Sequence, residues 1–267
     1  MQVELSRPLR LELIACANAM ADSARPETLR HFRAASLRTD NKFEHGFDPV
    51  TQADRAAEQA MRAVLAVRRP DDGILGEEFD PVEGTSGLTW VLDPIDGTRG
   101  YVSGTPTWGM LIAVNAGGPP ILGLIDQPYI NERFIGGFGE ARLVGPAGPR
   151  KLAVRAGRQL RDAILFSTFP EVGSVAERRA FEKLRDSVML TRYGMDCYAY
   201  ALLAMGQIDV IAEAGLFAYD VQAPIALIKA AGGVVTNWQG GPAHGGGQIL
   251  AAGSRDLHAA AMAVLNN

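Results

Sequence analysis

Apolar residues return at helical spacing from the start of the chain. Leu9, Leu13, Ile14, Ala17, Met20 and Ala21 fall on one face, so the pattern predicts an opening amphipathic helix. A polar stretch around Arg38 to Phe47 interrupts the periodicity. It resumes at Thr51-Gln52-Ala53-Asp54, where Thr51 is placed to cap a second helix with Ala53, Ala57, Ala60, Met61 and Val64 on its apolar face. Pro70 lies just past that helix, and Asp48 before it reads as a turn or capping group. Ile74-Leu75 and Trp90-Val91-Leu92 are short apolar runs bounded by Gly or Asp, and both read as strands ending in carboxylates. From Trp108 to about Leu143, apolar runs alternate with turns, several marked by Gly or Pro, the pattern of an antiparallel sheet.

The second half changes character. Strand patterns at Ala163 to Phe166, Val188 to Thr191, Ile208 to Ala212, Val234 to Thr236 and Ile249 to Ala252 alternate with helical ones. The helical stretches are Ser174 to Ser187, Tyr198 to Met205, Val221 to Ala231 and the closing Leu257 to Leu265. Such alternation predicts an α/β layer with a partly parallel sheet. Gly145-Pro146-Ala147-Gly148-Pro149 is the candidate junction, dividing an α+β half (1–148) from an α/β half (149–267).

Composition narrows the class without naming a chemistry. At 47% hydrophobic and 21% charged over 267 residues, the chain is expected to be globular rather than disordered. Tyr101 to Ile125 is uncharged, but Gly117-Gly118-Pro119-Pro120 splits it into two strands around a turn, so no membrane span is expected. A net charge of −4 argues against nucleic acid as a partner. Two cysteines, Cys16 and Cys197, suit a reducing compartment, and Glu4, Arg7, Arg10 and Glu12 break any signal-peptide core; the expectation is cytoplasmic.

The chemistry is concentrated in Trp90-Val91-Leu92-Asp93-Pro94-Ile95-Asp96-Gly97-Thr98. Two carboxylates three residues apart follow an apolar strand, Pro94 stiffens the turn between them, and Gly97 and Thr98 offer backbone N–H groups. Gly76-Glu77-Glu78 supplies carboxylates at another strand end, Asp48 and Asp54 supply two more, and Tyr219-Asp220 places one at a helix start. Clustered carboxylates need a compensating cation, and oxygen ligands select a hard ion such as Mg2+. A metal beside a phosphate cradle is the layout of phosphoryl transfer.

These motifs, in this order from Asp48 to Asp220, resemble the Mg2+-dependent, lithium-sensitive inositol monophosphatase family of phosphomonoesterases. The resemblance implies a five-layer αβαβα sandwich, a homodimer, and a site between the two halves with two to three Mg2+ per subunit. By that likeness Glu77, Asp93 and the Ile95 carbonyl hold one ion, and Asp93, Asp96 and Asp220 a second, with a third near Glu77. Asp96, Gly97 and Thr98 bind phosphate, while the Thr98 hydroxyl and Asp54 activate water. Many members carry a Lys where this chain has Phe43; Lys42, one position earlier, is the candidate for its role.

Substrate choice is expected near Asp196 and Glu213. Inositol-specific members tend to be small and neutral where this chain has Gly194-Met195-Asp196-Cys197, and Glu213 matches the family's acidic substrate contact. Two carboxylates favour a cationic leaving group, and this stretch resembles the histidinol-phosphatase branch, so L-histidinol phosphate is the expected substrate. Inositol-1-phosphate is the alternative, and a non-catalytic RNA- or transcription-complex-binding protein is the alternative of another class. Asp196 also has a plainer reading as the cap of the helix after it.

Overall fold

The computed structural model describes residues 4–34, 39–41 and 49–267, so Lys42, Phe43 and Asp48 lie outside the described residues. Helix α1 (Arg7–His31) carries the predicted apolar face and runs on through Pro26. Strands β1 (Thr39–Asn41) and β2 (Pro49–Thr51) form a small antiparallel ladder leading into α2 (Gln52–Arg68). Thr51 caps α2 as expected: its hydroxyl accepts from Ala53 N at 3.0 Å, and the Asp54 carboxylate accepts from Thr51 N at 2.9 Å. Each such cap satisfies an N–H that helix geometry leaves unpaired.

A seven-stranded sheet follows in sequence order: β3 (Gly73–Gly76), β4 (Thr89–Asp96), β5 (Gly109–Asn115), β6 (Pro120–Gln127), β7 (Glu132–Gly137), β8 (Glu140–Gly145) and β9 (Gly148–Lys151). Only β3 and β4 run parallel; a short helix, α3 (Thr98–Ser103), separates β4 from β5. Gly145 pairs with Gly148, so the Gly145–Pro149 segment turns the chain back into β9 of the same sheet. The passage to the second sheet lies beyond Lys151.

The second sheet comprises β10 (Ile164–Ser167), β11 (Leu190–Tyr193), β12 (Val210–Leu216), β13 (Val234–Thr236) and β14 (Gly247–Ala252), in the order β11-β10-β12-β14-β13. Strand β10 is parallel to both neighbours, and β14 antiparallel to both of its own, which gives the mixed sheet expected. Its helices are α4 (Val175–Arg185), α5 (Asp196–Ala204), α6 (Ala218–Ala230) and α7 (Arg255–Leu265).

The period-two alternation of the strands builds the layers. Trp90, Leu92, Met110, Ile112 and Val114 turn one way, onto Leu13, Ala17 and Met20 of α1 and Ala57, Met61 and Leu65 of α2. Val91, Leu111 and Ala113 turn the other way, onto α5 and α6, whose far side meets Phe166, Ile211 and Ala251 of the second sheet. Leu165, Val210, Ala212 and Leu250 face outward onto α4 and α7. Helix α6 is buried continuously from Val221 to Ile228 because it has a sheet on each side. The result is the αβαβα sandwich.

Candidate active site

Two breaks in strand register open onto one cleft. Strand β4 pairs regularly with β5 as far as Asp93, then regains register only at Asp96, across Pro94, which has no N–H to give to a ladder. Strand β12 shifts in the same way between Glu213 and Leu216. The cleft, of about 280 Å³, lies between the halves and is lined by Glu77, Asp93, Ile95, Asp96, Gly97, Thr98, Asp196, Glu213 and Asp220. Among the described residues, every site residue expected from sequence therefore lines it except Asp54.

The turn after β4 is tightly organised. Asp93 Oδ1 accepts from Ile95 N at 3.0 Å, and the Thr98 hydroxyl donates to the Ile95 carbonyl at 3.0 Å. Gly97 sits at φ +83°, and a Cβ there would lie 2.7 Å from Asp196, so only glycine fits both the backbone and the neighbour. Gly97 and Thr98 then open α3, whose first-turn N–H groups have no intrahelical partners.

Carboxylate oxygens of Asp93, Asp96 and Asp220 lie within 4.8 Å of one another. Two are anchored by backbone N–H groups at helix starts. Cys197 N donates to Asp96 at 2.6 Å where α5 begins, and Phe217 N donates to Asp220 at 2.6 Å where α6 begins. Burial, then the charges of Glu77, Asp96 and Asp220, push the Asp93 carboxyl well up. Burial and the charges of Asp196 and Asp220 do the same to Asp96, against the Cys197 N–H. A cluster so strained by its own charge fits a divalent cation, and its all-oxygen donors fit Mg2+.

Asp54 stands apart, at the start of α2. It is 1% exposed, one of its oxygens is buried without a hydrogen-bond partner, and its hydrogen bonds come from Thr51. Burial lifts its carboxyl to about 7; the Thr51 hydrogen bonds oppose the rise, and the charges of Glu78 and Glu77 add to it.

Asp196 does not cap α5. Met195 occupies the capping position, and Asp196 is the first helical residue, at φ +46°, with its carboxylate accepting from the Thr107 hydroxyl at 2.9 Å. A non-glycine residue held in the left-handed region is strained, and such strain gathers at functional sites. Glu213 is buried rather than solvent-facing: one oxygen accepts from Thr168 N at 2.8 Å and from its hydroxyl, the other from the Tyr200 hydroxyl. Burial raises its pKa against those hydrogen bonds.

Sequence reasoning did not single out Thr168 or Tyr200, which approach Glu213 only when β10 and α5 pack on β12. It also passed over the aromatic rim. Phe217, 57% exposed, stacks on Tyr219 with ring centroids 5.3 Å apart, and Arg99 lies over Phe169 at 4.9 Å; all four line the cleft. Phe217 and Tyr219 lie just before Asp220 and Arg99 just after Thr98 in the chain, which was the available signal for those three; Phe169 had none.

The family model described as the inositol monophosphatase family matches residues 10–267. The chain belongs to the inositol monophosphatase family. Its members are metal-dependent phosphatases, and this chain is one: an enzyme with a carboxylate cluster in the cleft between its halves. The chain is 38% identical to the chloroplastic bifunctional phosphatase IMPL2 of Arabidopsis thaliana, over 93% of this chain and 73% of that one. It is 37% identical to the histidinol-phosphatase of Mycobacterium tuberculosis, over 89% and 92%. Among solved structures, an inositol monophosphatase from Zymomonas mobilis superposes with a TM-score of 0.84 at 37% identity, covering 95% of this chain and 97% of that one. Equal identity to a histidinol-phosphatase and to an inositol monophosphatase leaves the family level as the one that similarity decides. Among the described residues no helix is long and apolar enough to cross a membrane.

Proposed function

We propose that the protein hydrolyses L-histidinol phosphate to L-histidinol and phosphate with Mg2+. The observation that carries this reading is the second pair of carboxylates, Asp196 and Glu213, in the wall of the cleft that holds Asp93, Asp96 and Asp220. A neutral polyol gains little from two buried acids, whereas the ammonium of histidinol relieves their desolvation. Similarity to a histidinol-phosphatase of M. tuberculosis supports the same choice.

Glu77, Asp93, the Ile95 carbonyl, Asp96 and Asp220 would hold Mg2+, which when bound neutralises phosphoryl charge and acidifies a water. Gly97 and Thr98 present N–H groups to the phosphate oxygens, and Gly97 lets the backbone approach closely. Asp54 does not line the cleft; with its carboxyl at about 7 it would take the attacking water's proton by relay through the Thr98 hydroxyl, turned toward it from the Ile95 carbonyl. Water adds to phosphorus, the P–O bond to the alcohol breaks, and the departing oxygen takes a proton from solvent. Asp196 and Glu213 orient the leaving group, and Thr168 and Tyr200 hold Glu213 in place. A homodimer, inhibition by Li+ and a cytoplasmic location belong to the proposal as family properties.

Purified protein incubated with histidinol phosphate and Mg2+ should release histidinol and phosphate in equal amounts, and EDTA should stop the release. Absence of turnover of histidinol phosphate with Mg2+ present would overturn the reading and favour inositol-1-phosphate as the substrate.

A further inference from the structure

We infer that Glu58 and Arg62 of α2 form a clamp that positions Glu77 and thereby sets the cation affinity of the cleft, an inference that rests on the metal-site reading above. The Glu58 side chain is fully buried, and its two oxygens have different tasks. Oε2 accepts from Glu78 N at 2.8 Å, and Oε1 accepts from Arg62 Nε at 2.8 Å. The Arg62 guanidinium in turn donates to the carbonyls of Phe79 and Asp80, each at 3.0 Å, and lies over the Phe79 ring at 5.6 Å. One helical pair, four residues apart, thus holds the three residues that follow Glu77.

The residues before Glu77 are held as well. Glu77 N donates to Leu92 O at 3.2 Å, continuing the β3–β4 ladder. Gly76 lies so close to the clamp that a Cβ there would be 1.9 Å from Glu58 Oε1. The loop is therefore pinned on both sides of the one residue in it that lines the cleft, Glu77. Groups that orient a ligand contribute to metal affinity by pre-organisation, and removing one costs typically 10–100-fold. Both clamp residues come from a helix that carries no cleft-lining residue, so they act through Glu77 and not on substrate.

The test is equilibrium binding of Mn2+, followed by electron paramagnetic resonance on the whole chain without substrate. Arg62→Met and Glu58→Gln should each raise the Mn2+ dissociation constant by at least about tenfold, and Arg62→Lys should recover part of the loss. Val64→Ala, which loosens the other face of α2, should lower Tm while leaving Mn2+ binding unchanged. Binding by both clamp variants within about twofold of the parent, or an equal loss in Val64→Ala, would overturn the clamp. Asp93→Asn in the same titration separates the two readings: a parent that binds Mn2+ no better than this variant overturns the metal site itself.

Discussion

Asp54→Asn should make the metal-free protein more stable at alkaline pH while disabling it as an enzyme. Burial lifts the Asp54 carboxyl to about 7, against an ordinary value near 3.9, so its ionised form carries a penalty of about 4 kcal/mol. Because the folded value is raised, that penalty is absent below about pH 4, grows as pH climbs, and is complete above about pH 7. The amide keeps an oxygen for Thr51 N and puts its NH2 where the parent has an unpartnered oxygen, at a cost of about 1–3 kcal/mol. The net effect is a gain of about 1–3 kcal/mol at about pH 8.5, or roughly 2–5 °C in Tm for a chain of this length. Near pH 5 only about 1.5 kcal/mol of the penalty remains, so the same difference should fall to between about −1.5 and +0.5 kcal/mol. Thermal melts of both proteins in EDTA across this range read the crossover directly. With Mg2+ restored, kcat should fall at least about 100-fold, the usual contribution of a general base. A Tm difference that ignores pH, or a variant less stable than the parent at about pH 8.5, would refute the buried-carboxylate reasoning.

Other outcomes follow from the same geometry. Mg2+ at about 100 times its dissociation constant should stabilise the parent by about 2.7 kcal/mol, and Asp93→Asn should lose both this shift and turnover; a full Mg2+ shift in the variant would remove Asp93 from the ligand set. Gly97→Ala forces a side chain into the left-handed region and against Asp196; a stability loss of at least about 1 kcal/mol and slower phosphate release are expected, and unchanged turnover would count against the cradle. Asp196→Ala should raise KM for histidinol phosphate more than for inositol-1-phosphate, and equal changes would deny it contact with the ammonium. Phe217→Ala should leave stability within about 0.5 kcal/mol, since the ring is largely exposed, yet raise KM for an aromatic leaving group; an unchanged KM would place the ring outside the substrate site.

Periodicity carried much of the fold. The helical face of α1, the Thr51 cap and the strand alternation of β4 to β6 are local properties, and packing follows them. Where local signals compete with tertiary contact, the reading slipped. The Gly- and Pro-rich segment 145–149 has a linker's composition, yet Gly148 at φ +90° closes a hairpin there. Asp196 has a helix cap's composition too, but Thr107 on the approach to β5 takes its carboxylate instead. The clustering of Asp93, Asp96 and Asp220 was legible because they end a predicted strand or start a predicted helix. The groups that hold Glu213 and Glu77 were not, since Thr168, Tyr200, Glu58 and Arg62 reach them across elements distant in sequence.

The most direct test of the central claim is the ratio of kcat/KM for L-histidinol phosphate to that for inositol-1-phosphate, measured by phosphate release with Mg2+ and again with EDTA. An acidic leaving-group wall beside a carboxylate-bound cation predicts a ratio above about 10 with Mg2+, the size of one ordinary charge contact, and no release of either kind with EDTA. A ratio at or below one, or hydrolysis that survives the chelator, would contradict it.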